Sequence, residues 1–153
     1  MFVKSYTALL VEFEALRETL LGYARGWLGT IAQDAERHGE QLLVDVGLQA
    51  RSGLRRPARL ELGEAVSTER TTSLALRLLV EEHGRLLPSL EGSLDAAWLG
   101  AGRTHLALSV RYEPAIDEPG DRVDRALLHR VVEAVALRFV ETAAERIQAT
   151  RPD

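Results

Sequence analysis

From Leu42 to Tyr112 the apolar residues return at every second position, and beyond Pro119 they return every third or fourth instead. A period of two is that of a half-buried strand, and a period of 3.6 that of a helix with one buried face. The switch predicts an antiparallel sheet followed by one long helix. Leu42, Val44, Val46 and Leu48 form one face of a strand. After a turn region of Gly, Arg and Pro, Arg59-Leu60-Glu61-Leu62 alternates again. Leu74, Leu76, Leu78 and Val80 then oppose Ser73, Arg77 and Glu81, and Leu94, Ala96 and Trp98 oppose Ser93 and Asp95. Last come Thr104, Leu106, Leu108, Val110 and Tyr112 against Arg103, His105, Ser109 and Arg111. Turn signals separate these runs, as in a meander.

The two ends read differently. Residues 2–11 are rich in aromatic and β-branched types and predict a first strand. Phe13, Leu16, Leu20 and Leu21 recur at helical spacing, with Gly22 as the stop. A second short helix is expected from Ala24 to His38, with Trp27, Leu28, Ile31 and Ala35 on one face and Gly39 as a left-handed terminator. Near the carboxy terminus Asp121 reads as a helix cap. Leu128, Val131, Val132, Val135, Phe139, Ala143 and Ile147 form the stripe of a helix about 40 Å long, enough to cross a sheet. With 153 residues and no linker or repeat, residues 1–153 are expected to form a single α+β domain. Its predicted sheet has six or seven strands around the terminal helix.

Three strings add a resemblance: Pro88-Ser89-Leu90-Glu91-Gly92-Ser93-Leu94, the run Arg103 to Pro114, and Asp124-Arg125-Ala126-Leu127-Leu128-His129-Arg130. Together with the element order, they resemble the START-like helix-grip superfamily, also called SRPBCC, and within it a group of actinobacterial members. The resemblance covers nearly the whole chain and implies a cavity for a hydrophobic ligand between sheet and terminal helix. The superfamily also includes polyketide aromatase/cyclases and chaperone-activating or ribosome-associated domains. These supply two alternatives: an enzyme that moves a proton in the pocket, and a protein-interaction module.

Composition removes several chemistries. The chain has no cysteine, which excludes disulfides, thiolate metal sites and cysteine nucleophiles. The four histidines, His38, His83, His105 and His129, do not pair at metal-ligand spacing. His105 falls on the polar phase of its strand, and His129 at the edge of the helical stripe. Arg51, Arg55, Arg56 and Arg59 form the most basic stretch, but they stand without aromatic partners in a chain of net charge −4, which argues for a solvated turn over a phosphate-binding surface. Gly22, Gly26 and Gly29 lack the lysine of a phosphate loop. No apolar run reaches the 18 or so residues of a membrane span, and no secretory signal is visible at the amino terminus, so a cytoplasmic setting is expected.

The expectation is therefore a noncatalytic binding domain without metal, cofactor or nucleic acid and without insertion into membranes. Its partner is a small hydrophobic molecule such as a lipid or polyketide. Tyr6, Trp27, Leu76, Leu78, Leu94, Trp98, Leu108, Tyr112, His129, Val132, Val135 and Phe139 are expected to line its pocket. Tyr6, Tyr112 and His129 are the available polar anchors. Under the enzymatic alternative, the same three would move the proton.

Overall fold

A computed structural model describes residues 1–46, 58–80, 87–113 and 125–149, with the side chains of 23–25 excepted. Strand β1 (Phe2–Leu9) leads into helix α1 (Phe13–Glu18), a π turn (Thr19–Tyr23) and helix α2 (Ala24–Asp45). Strands β2 (Arg59–Ser67), β3 (Thr71–Leu79), β4 (Leu90–Gly100) and β5 (Arg103–Arg111) follow, and helix α3 (Arg125–Ala149) comes last. Among the described residues the sheet has five strands, in the order β1-β5-β4-β3-β2, and every neighbouring pair is antiparallel. Strand, helices, antiparallel strands and a long closing helix make the helix-grip arrangement that the resemblance implies.

One face of this sheet is apolar by construction of the sequence. Thr72, Leu74, Leu76 and Leu78 of β3 lie in register with Ala96, Leu94, Gly92 and Leu90 of β4. These in turn meet Leu106, Leu108 and Val110 of β5, whose partners on β1 include Val3. Helix α3 lies over β1 and β5 and packs along α2, which covers β2. Its buried side chains, from Leu128 to Ile147, form a stripe wide enough to meet both the sheet and α2. Asp34 of α2 and Arg138 of α3 tie the two helices with Nε–Oδ2 at 2.9 Å.

The alternation at Leu42–Leu48 does not make a strand. Residues 42–45 are the last turn of α2, in which Leu43 is buried and Val44 exposed, and Val46 just beyond it is also exposed. Leu48 lies outside the described residues. Buried positions of α2 recur as Leu28, Ile31, Ala32, Ala35, Glu36, Glu40 and Leu43, a 3.6 period that the two glutamates conceal from a hydrophobic reading. Gly39 is no terminator either. A Cβ there would collide with Val135 Cγ2 and lie 2.7 Å from Leu87 Cδ1, so the missing side chain lets α2 approach α3. Gly22 likewise does not stop the helical path, which continues through the π turn into the 22 residues of α2. The predicted cap Asp121, the arginines 51, 55 and 56, and His83 lie outside the described residues.

Burying Glu40 is tolerated because its Oε1 accepts a hydrogen bond from the Leu87 backbone N–H at 3.1 Å, satisfying a donor where the chain re-enters the core. Thr104, also buried, donates its hydroxyl to the Val11 carbonyl at 2.7 Å. Every buried side-chain nitrogen and oxygen among the described residues has a partner.

Candidate functional site

Helix geometry opens a space at one end of the sheet. In the π turn the backbone bonds reach one residue further than in an α-helix, a local widening that recurs at functional sites. Here it presents two consecutive leucines, Leu20 buried and Leu21 about half exposed. Facing them, β2 carries a bulge: Leu62 pairs with Leu76 and Ala65 with Leu74, so Gly63 and Glu64 together oppose Ala75. A Cβ on Gly63 would lie 3.1 Å from that of Ala75, a tight fit that glycine avoids. A bulge of this kind bends the strand and re-aims its side chains. Between the π turn and the bulge lies a groove of about 530 Å³, lined by Leu20, Leu21, Leu62, Gly63, Glu64, Ala65 and Leu74.

Most of the residues expected to line a pocket under α3 are buried within the core cluster. Leu94 and Val132 are 0% exposed, Val135 2%, Leu108 3%, Leu76 and Phe139 4%, and Leu78 6%. They point between sheet and helix as the periodicity demands. Trp27 is half-buried and packs against the same core.

Two predicted aromatics stand elsewhere. Tyr6 is 64% exposed on the outer face of β1, its ring 5.3 Å from that of His105. The inward residues of β1 are the odd-numbered ones, with Val3 and Leu9 buried at its ends, so Tyr6 falls on the opposite phase. Trp98 is on the inward phase of β4 but lies beyond the core, 42% exposed, under the Arg70 guanidinium at 4.6 Å.

Tyr112 and His129 do come together. The Tyr112 Oη lies 3.0 Å from His129 Nδ1, and His129 Nε2 lies 2.9 Å from Glu133 Oε1 one helical turn on. With the imidazole proton on Nε2, Tyr112 donates to Nδ1 and His129 donates to the carboxylate. Burial first, and then the Glu133 charge, push the Tyr112 pKa above the ordinary phenol value. The phenol is therefore a donor and not a phenolate nucleophile. This chain lies where β5 leads toward α3, whereas the groove lies by the distal half of β2.

The groove residues escaped a reading from sequence because neither a π turn nor a bulge has a period. Gly63, interrupting the alternation of Leu60, Glu61 and Leu62, is the one signal that was available. Glu133, four residues after His129, was legible as a helical neighbour once His129 was singled out.

No family model and no curated protein matches the chain. Solved structures do. A conserved protein from Geobacillus kaustophilus superposes with a TM-score of 0.51 at 10% identity, over 98% of this chain and 97% of its own. The Zhui aromatase/cyclase from Streptomyces sp. R1128 gives 0.49 at 14% identity, over 97% and 93%. Ara h 8.0201 gives 0.44 at 8% identity, over 98% and 99%. At such identities the likeness is one of fold, and function is a separate question.

Proposed function

We propose that this protein binds a small hydrophobic molecule in the groove between the π turn and the β2 bulge. The observation that carries the reading is the groove itself. Its volume of about 530 Å³ falls within the range of small-ligand sites, and Leu21, Leu62 and Ala65, backed by the buried Leu20 and Leu74, put apolar surface at two irregularities of the backbone. The well-packed interior under α3 supports placing the ligand here and not beneath the terminal helix. Titration with a neutral environment-sensitive dye tests the reading. About one equivalent should bind to the native protein, and Ala65→Trp, which fills the groove from an exposed position, should abolish binding while leaving the circular dichroism unchanged. Undiminished binding by that variant would move the site elsewhere.

A catalytic reading has one observation in its favour, the hydrogen-bonded chain Tyr112–His129–Glu133, which has the donor, base and orienting carboxylate of a proton-moving site. It predicts that Tyr112→Phe stops turnover of a polyketide-like substrate without changing dye binding. Equal loss of both would assign Tyr112 a structural part alone.

A further inference from the structure

We infer that the groove discriminates among amphiphiles by head-group charge, taking a hydrophobic body that ends in an ammonium group in preference to a fatty-acid carboxylate of the same length. This rests on the groove being the binding site. Among its described lining residues Glu64 is the only charged one, and it stands with four leucines and an alanine. Glu64 has no ion pair or hydrogen bond among the described residues, so its charge is available to a ligand.

Among the described residues, Arg59 and Arg17 are engaged elsewhere. Arg59 Nη2 lies 3.1 Å from Glu61. Arg17 is bound by Glu14 at 3.3 Å, by the Thr72 hydroxyl at 3.2 Å and by the Thr68 carbonyl. Glu18, two residues ahead of Leu20 in the chain, also has no ion pair among the described residues. A carboxylate head entering here would meet the like charge of Glu64, and an ammonium head would meet an opposite one. Exposed ion pairs are weak, but attraction of one head and repulsion of the other act together in a selectivity ratio.

The experiment uses the full chain and displacement of the neutral dye by dodecylamine, dodecanol and dodecanoate. Each is kept below its micellar concentration, at neutral pH and low salt. The expected order is amine, alcohol, carboxylate, with the amine about ten-fold tighter than the carboxylate and the ratio shrinking in 0.5 M salt as screening tightens (about 3–10 Å). Glu64→Gln should bring the three close to parity with the alcohol unchanged, and Glu64→Lys should reverse the order. Equal binding of all three by the native protein, or an order that persists in both variants, overturns the charge inference while the groove stands. Dodecanol that fails to bind, or that binds Ala65→Trp as well as the native chain, removes the groove reading and this inference with it.

Discussion

Tyr112 joins the last turn of the sheet to the first turns of α3 through one phenol proton, and two consequences follow at the level of that atom. Tyr112→Phe keeps the ring and removes the bond to His129 Nδ1, which should cost about 1 kcal/mol in a urea melt at pH 8. Because the folded pKa of Tyr112 is raised, its contribution is complete below the unfolded phenol value, near 10, and is lost as pH rises through the folded one. The native protein should therefore lose stability on the alkaline side more steeply than the Phe variant. Parallel pH profiles of the two would show that Tyr112 titrates without penalty. Phe139, 4% exposed within the α3 interface, belongs to the packed core, so Phe139→Ala should cost about 3–5 kcal/mol in the same melts. A loss near 1 kcal/mol would mean that the ring borders open space. That Tyr112 and His129 are polar groups at the edge of an apolar pattern is readable from the chain. That they meet is not, since the contact depends on the path that brings α3 back over β5.

At the scale of elements, α2 shows how a short-range pattern misleads. Leu42, Val44, Val46 and Leu48 alternate with Leu43, Asp45 and Gly47, and a run that short satisfies a strand and the end of a helix alike. The longer period, from Leu28 to Leu43, decides for helix, but Glu36 and Glu40 occupy inward positions on it and Gly39 mimics a stop. The glycines of α2 separate into two kinds, which mutation should distinguish. At Gly29 an added Cβ meets nothing within 4 Å, so Gly29→Ala should raise stability by about 0.5–1 kcal/mol through helix propensity. At Gly39 the methyl would enter Val135, and Gly39→Ala should lower stability by about 1–3 kcal/mol through overpacking. The same sign for both in thermal melts would contradict the close approach of α2 and α3. The two helices also share an acid-sensitive link. The hydrogen bond from Arg138 holds the Asp34 carboxyl below the usual range against a smaller opposing effect of burial. A depressed carboxylate stabilises the fold above its unfolded pKa, near 4, and ceases to do so as pH falls through the folded value. Arg138→Ala should accordingly flatten the acid side of the stability profile, with little change at pH 7 because the pair is exposed.

Over the whole molecule, burial is uneven in a way that sets an order of opening. β5 lies between β1 and β4 beneath α3, with Leu106, Leu108 and Val110 almost wholly enclosed. Among the described residues β2 is an edge strand, in which no residue is buried and the stretch from Gly63 to Ser67 is exposed throughout. Amide exchange should therefore be slowest in β5 and α3 and earliest in β2, with a bound hydrophobic ligand slowing β2 and the π turn in particular. Uniform protection across the sheet would count against this gradient. The sheet-and-helix architecture was readable because period-two and period-3.6 stretches of adequate length leave few alternatives. The groove was not, because it arises from two departures from period.

The bulge at Gly63 and Glu64 also bears on how these molecules behave toward one another at high concentration. A bare sheet edge is a template on which a second chain can lay a strand, and repetition of that step grows fibres. Along β2 such a visitor could match Arg59–Leu62 or Ala65–Ser67, but the extra residue between them throws it out of step after one short run. Seven edge residues split into four and three offer too few consecutive backbone bonds to hold a strand that brings no other contact. The irregularity that shapes the groove thereby also acts as a guard against self-association, and replacing it with a regular strand should leave the protein prone to aggregate.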